Sequence, residues 1–338
     1  MMNHFNMLDI DKDILEKEFY SKRFYFSYSG INKLLFSPTV WYKHYVLNQR
    51  EDKTDLYLIN GKVIHCLLLD DGSFDKTFVV SPDNLPTGNN KLVVDRIYAR
   101  VQEGPGWLKD YTIEILEILK QINLHQSLKT DEQRLEKLIN DQNHNYFEYL
   151  KVREGRDVID QETLTSCKES VAILRNNAKV CQLLHCGEEG NEQVTIMNEV
   201  KMELDLGEVY PFGLKGILDS LVINNTEKVI YINDLKTTGK TISEFRDTIE
   251  YYNYWLQAAI YIMMVRQHYI KLLEDGYTIK FCFIVIDKYN QIYPFEVSDL
   301  TMNTWTDRLS DVLRIAEYHY VNREFALPYE FACNKVIL

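Results

Sequence analysis

Two aspartates and a lysine carry the chemistry most legible in this chain. Asp219 sits in one short apolar run, and Asp234-Leu235-Lys236 closes a second; together they read GILDSLVINNTEKVIYINDLK over residues 216–236. Each run is short and rich in β-branched and aliphatic residues, with a polar NNTEK break between them, which predicts strand, turn, strand. Such a hairpin brings two carboxylates and one ammonium group to the same end of a sheet. Carboxylate oxygens suit a hard divalent cation such as Mg²⁺, and a lysine beside them stabilises negative charge on an attacked phosphate.

Three further motifs flank the hairpin. Thr237-Thr238 follow the lysine. Downstream, YNYWLQAAIYIMM presents Tyr254, Gln257 and Tyr261, the last two one helical turn apart on a helix expected to begin near Ser243. Upstream, GKVIHCLLLD places Gly61 and His65 on one helical face. Taken in order, these segments resemble the PD-(D/E)XK nuclease superfamily. They are similar above all to its RecB-type and exonuclease VIII members, with an early histidine, an Asp, a D-x-K-T-T tripeptide region and a Y-x-x-Q-x-x-x-Y helix.

The resemblance implies a metal-dependent phosphodiesterase. Asp219 and Asp234 would hold Mg²⁺ or Mn²⁺ with the Leu235 carbonyl and His65, while Lys236, Gln257 and Tyr261 complete the catalytic set. An imidazole among the ligands suits Mn²⁺ better than the harder Mg²⁺. A further carboxylate is expected upstream. Glu192 stands where the group tends to place one, while Glu199 and Glu203 share strand parity and therefore one predicted face.

The elements that must position these residues read as α/β: a mixed central sheet flanked by helices, with a helical insertion. We expect a single nuclease domain over 1–338. N-terminal helices with the histidine motif occupy 21–70, and a mainly helical insertion 75–185. The catalytic sheet and glutamine helix follow at 190–300, and a C-terminal helix and tail at 301–338. Ser29 is expected to begin one early helix, and Ser37-Pro38 another as N-cap and first residue. Turn formers between about 80 and 106 predict a loop or small subdomain. One helix is expected over 163–185, a hairpin over KFCFIVIDKYNQIYPFEV, and a final helix over 301–322 carrying Trp305, Leu309, Val312 and Ala316.

A net charge of −12 works against indiscriminate nucleic-acid affinity, because phosphates are neutralised by Lys and Arg. The charge is uneven, however. Between Ser21 and Arg50 there is no acidic residue, yet Lys22, Arg23, Lys33 and Lys43 are present, interleaved with eight aromatics from Phe24 to Tyr45. These lysines, Arg23 and Tyr254 are candidate DNA contacts, with the aromatics as stacking platforms; packing of two short helices on the core is the alternative. The six cysteines include no C-x-x-C pair, so neither an iron–sulfur cluster nor disulfides are expected. No apolar run reaches the roughly 18 residues of a membrane helix, and the start of the chain has no signal-peptide pattern, so a cytoplasmic protein is expected. That would be the host cytoplasm if the chain is phage-encoded.

By resemblance, the substrate is the end of a linear DNA duplex, resected 5′→3′ for recombination or repair. Partners implied are DNA, a single-strand annealing protein and further copies of the chain in a homo-oligomer. Two other readings stay open at this point. One is an endonuclease or single-strand-specific nuclease of the same superfamily, and the other an inactive DNA-binding scaffold.

Overall fold

The computed structural model describes residues 21, 24–49, 56–101, 106–188, 190–333 and 335–336; Lys22 and Arg23 lie outside them. In chain order, strand β1 (Tyr25–Phe26) precedes helices α1 (Tyr28–Phe36), α2 (Pro38–Tyr45) and α3 (Leu56–Leu69). Strand β2 (Phe78–Val80) leads to α4 (Gly88–Val101), α5 (Thr112–Gln121), α6 (Asp131–Leu138) and α7 (Asp141–Val152). Then come β3 (Asp157–Ile159), α8 (Gln161–Asn176), α9 (Ala178–Leu184) and three long strands, β4 (Val194–Asp205), β5 (Gly213–Asn224) and β6 (Val229–Thr238). The chain continues through α10 (Phe245–Tyr251) and α11 (Tyr254–His268) to β7 (Thr278–Asp287), β8 (Ile292–Val297) and α12 (Asp299–Asn322). Contacts group these elements into two compact units, 1–54 with 173–338 and 55–172.

The larger unit is built on a mixed six-stranded sheet. β6 runs antiparallel to β5 and parallel to β7, and β7 is antiparallel to β8. β4 lines one edge of β5 antiparallel, and β1 adds a short parallel pairing at Tyr25↔Gly213. A parallel neighbour needs a crossover, which α10 and α11 supply between β6 and β7. The strands that meet in the middle read as continuous apolar runs because both faces are covered; Phe281 through Ile286 are all buried. The sequence expectation of a mixed sheet flanked by helices is what the structure contains.

Helix α11 is buried around its whole circumference rather than along one stripe. Every residue from Trp255 to Ile262 is buried, since the helix runs between the sheet and α12. It also does not begin at Ser243. Asn253 adopts a left-handed conformation (φ 57°) that separates α10 from α11. Similarly, the single helix expected over 163–185 is two, with Asn177 accepting a hydrogen bond from the Val180 N–H to cap the second. Cys167 is buried in α8, but Ala178, past the break, is exposed.

The first helix is capped by Ser27, whose hydroxyl accepts from the Gly30 N–H, rather than by Ser29. Ser37 caps α2, with Pro38 as its first residue, as the sequence predicts. The interleaved aromatics there mostly serve packing instead of forming open platforms. Phe26 and Trp41 are buried, Phe24 meets Tyr320 edge to face at 4.8 Å, and Trp41 stacks on Phe325 at 5.3 Å. The hairpin of β7 and β8 and the C-terminal helix follow expectation, and Trp305, Leu309, Val312 and Ala316 are all buried.

The smaller unit is helical apart from the parallel pair β2 and β3. Residues 88–101, within the segment expected to be a loop or small subdomain, form α4. Its Gly-Asn-Asn start carries turn residues, but Val93, Val94 and Ile97 share a face that is buried against Ile115, Leu119, Tyr146 and Phe147. Burial of that apolar face outweighs the weak helix propensity of its β-branched residues. No described helix is long and apolar enough to cross a membrane.

One close approach fixes α11 on the sheet. A Cβ built on Gly216 of β5 would lie 2.7 Å from the Tyr261 ring and 2.8 Å from the Met264 methyl. Met264 can swing aside, but Tyr261 is hydrogen-bonded and cannot. Gly216→Ala should therefore lower stability by about 1–3 kcal/mol, the usual range for overpacking. Denaturant titration checks this against Gly239→Ala, whose Cβ meets nothing within 4 Å and which should unfold like the parent.

Candidate active site

The β5–β6 ladder ends at the pair Ser220↔Asn233, and the strands then separate. The next N–H of β6 facing β5, that of Leu235, donates instead to the Asp219 carboxylate at 2.7 Å. A side chain thus replaces a strand partner at the point of divergence. Alternation along β6 sends Asn233 to one side of the sheet, where its amide donates to the Leu183 carbonyl of α9 at 2.9 Å. Asp234 points the other way, toward α11, and is wholly buried.

A buried carboxylate is tolerated only when it is paired and hydrogen-bonded. Lys236 forms an ion pair with Asp234 Oδ2, and the Gln257 amide donates to Asp234 Oδ1 at 2.9 Å. Gln257 also donates to the Tyr261 hydroxyl at 3.0 Å, and Tyr261 donates to the Ile217 carbonyl of β5 at 2.7 Å. Gln257 therefore donates both ways, directly to the Asp234 carboxylate and through Tyr261 toward a fixed backbone oxygen. The Lys236 ammonium lies 4.9 Å from the centre of the Tyr254 ring. The five residues expected to act in catalysis, Asp219, Asp234, Lys236, Gln257 and Tyr261, come together here with Tyr254.

Protonation follows from this burial. Asp219 is pushed up to about 6 by loss of solvent, against the pull of Lys236 and the Leu235 N–H. Burial alone would lower the Lys236 pKa, but Asp234 and Asp219 outweigh it and hold it above the ordinary lysine value. Tyr261 is raised well above its usual value by burial and by the two aspartates, so it stays a hydrogen-bond donor.

Glu199 of β4 joins this carboxylate group. Asn198↔Ser220 and Val200↔Leu218 bracket it, so it stands opposite Asp219 with no residue inserted. Its carboxylate oxygen and that of Asp219 lie within 4.8 Å of one another. Glu199 has a left-handed backbone (φ 50°), a strained conformation for a residue with a side chain. Side-chain parity changes there: Met197 before it, and Val200, Met202 and Leu204 after it, all pack on the same core. Equal parity consequently does not put Glu199 and Glu203 on one face, and Glu203 is exposed. Glu199 was one of three carboxylates the sequence offered; pairing β4 with β5 in register is the signal that separates it from the others.

The other expected residues stand on other elements of the chain. Glu192 sits in an exposed turn just before β4, beside Gln193, whose carbonyl accepts from Asn225 in the β5–β6 turn. That end of the sheet is several strand residues from Asp219. His65 lies in α3, in the smaller unit. Lys33 is within 3.0 Å of the His44 ring nitrogen, and Lys43 is exposed on α2. Tyr28 had no assigned role, yet its hydroxyl donates to the Tyr252 carbonyl at 2.5 Å, and burial, Tyr254 and Asp234 raise its pKa.

Oxygen donors that converge beside one lysine fit a hard divalent cation. The sequence profile of the PD-(D/E)XK nuclease superfamily matches residues 25–324, and the chain belongs to that superfamily. It is a nuclease by family. Among solved structures, it is similar to a Eubacterium rectale protein described as a candidate exonuclease, determined at 2.19 Å resolution. The two share 13% identity over 91% of this chain and 86% of that one, with a TM-score of 0.47. No protein of curated function matches the sequence.

A carboxyl whose folded pKa lies above its unfolded value loses stability as pH rises. For Asp219 the penalty is absent below its ordinary value of 3.8 and complete above about 6. In chelator at pH 8, Asp219→Asn should therefore raise the unfolding free energy by about 1–2 kcal/mol. The advantage should vanish near pH 4, which thermal melts at several pH values would reveal.

Proposed function

We propose that this chain is a divalent-cation-dependent deoxyribonuclease that resects linear duplex DNA from its ends, as an exonuclease of the exonuclease VIII type. The observation that carries the reading is Asp234, buried, ion-paired to Lys236 and oriented by Gln257. A scaffold that only bound DNA would have no use for a costly buried carboxylate beside a lysine.

Asp219, Asp234, Glu199 and the Leu235 carbonyl would hold Mg²⁺ or Mn²⁺, with His65 as a further ligand. Bound there, the cation would lower the pKa of a water and polarise the phosphate. Lys236 balances the negative charge that grows on the phosphate in the transition state and orients the attacking water. Gln257 and Tyr261 keep Asp234 in one rotamer, so the site need not reorganise as charge develops. Lys33 and Lys43, with Lys22 and Arg23, take the backbone of the duplex. The 5′→3′ direction, a role in recombination or repair, an annealing partner and a homo-oligomeric state belong to the same reading by resemblance.

End-labelled linear duplex and covalently closed circular DNA, each digested with Mg²⁺ or Mn²⁺, test it. The linear DNA should be lost and the circle kept. Lys236→Ala should lower kcat by roughly 10²–10³-fold, as expected when one charge-stabilising donor is removed, while DNA affinity stays near that of the parent. Cleavage of the circle would make the enzyme an endonuclease; cleavage unaffected by Lys236→Ala would remove the reading altogether.

A further inference from the structure

Four tyrosines and two lysines form a path from the buried ion pair to the surface. Lys236 lies over the Tyr254 ring at 4.9 Å, Tyr254 meets Tyr252 at 5.6 Å, and Tyr252 meets Tyr251 edge to face at 4.8 Å. Lys240, one strand end beyond Lys236, lies 5.3 Å from the Tyr251 ring centre. Tyr28 flanks Tyr254 at 6.4 Å. Tyr251 is 74% exposed and Tyr252 44% exposed, so the outer half of the path contributes little to the core.

The backbone that carries these outer rings is nonetheless held in place. The Tyr252 carbonyl accepts from the Tyr28 hydroxyl and from the Asn32 amide at 3.2 Å. Asn253, in its left-handed conformation, donates to Asn32 Oδ1 at 2.8 Å and accepts from the Trp255 indole at 3.1 Å. Four side chains, those of Tyr28, Asn32, Asn253 and Trp255, therefore define the break between α10 and α11 at which the rings project. Large exposed aromatics that project from a backbone held by hydrogen bonds are a feature of recognition surfaces, because such rings lose little entropy on binding.

The chemistry that fits is a nucleic-acid strand near its end. Every base has a flat π-face, so stacking on tyrosine is sequence-tolerant, and lysines between the rings meet the phosphates. We infer that Tyr251 and Tyr252 form a stacking platform for the unpaired terminal nucleotides of the strand being cleaved, with Lys240 on the adjoining phosphate. The scissile phosphate then lies at Lys236. The inference rests on the proposed nuclease activity and assigns that activity its preference for ends, where unstacking is least costly.

Linear duplexes carrying 2-aminopurine at a terminal or an internal position test it, with the full-length protein in chelator. Terminal fluorescence should be quenched on binding, and internal fluorescence should not. Tyr251→Leu and Tyr252→Leu keep apolar bulk without a π-face. Each should abolish most of the quench and, with metal restored, raise KM for linear DNA roughly tenfold while kcat changes little, the scale of one lost stacking contact. Tyr252→Phe should recover both, and Phe331→Ala, an exposed ring far along the sequence, should match the parent. Parental quenching and KM in both leucine variants would overturn the platform alone, leaving the nuclease intact. A parent that cleaves no DNA would overturn both readings.

Discussion

One buried negative charge organises this molecule. Asp234 is wholly enclosed, and a carboxylate in that position is stable only if its surroundings answer both oxygens. Lys236 answers one and Gln257 the other, and Gln257 is itself fixed by Tyr261 against the Ile217 carbonyl. Each requirement reaches further into the fold. Tyr261 needs α11 pressed onto β5, which needs Gly216; α11 in turn needs the parallel pairing of β6 with β7 that its crossover spans. The sheet and helix are thus arranged around the electrostatics of the site as much as around the apolar core.

Two residues with side chains occupy left-handed backbone conformations at the edges of this arrangement, Glu199 in β4 and Asn253 between α10 and α11. Asparagine adopts that conformation readily, and its side chain is used on both sides. Glutamate does not, and Glu199 stands opposite Asp219, where the ladder of β4 and β5 is interrupted. The strain is located where two carboxylates approach each other, which is where a bound cation would return the energy.

Much of this was legible in the sequence. The polar break in residues 216–236 located the hairpin, and the four-residue spacing of Gln257 and Tyr261 put them on one helical face, which the fold turns toward Asp234. What was not legible depended on partners distant in sequence. Glu199 could not be separated from Glu192 and Glu203 without the register of β4 on β5, because the parity rule assumes an uninterrupted strand and φ changes sign at Glu199. Helix α4 looked like loop because its start is rich in Asn and Gly, while the face formed by Val93, Val94 and Ile97 acquires meaning only against Tyr146 and Phe147. The aromatics after Phe24 read equally as stacking platforms or as packing of two short helices on the core. Their burial depends on Phe325 and Tyr320, almost three hundred residues later.

The pairing of Tyr25 with Gly213 has a consequence for synthesis. Strand β1 leaves the ribosome long before the strand it joins has been translated. At roughly 5–20 residues per second, that interval is on the order of ten to forty seconds. Throughout it, Phe24, Phe26, Tyr28 and Trp41 have none of their later partners in the sheet or α12. The nascent chain therefore presents an aromatic, acid-free segment to the cell before any active site exists. That segment stays open to association with other apolar surfaces until β5 and α12 have been made.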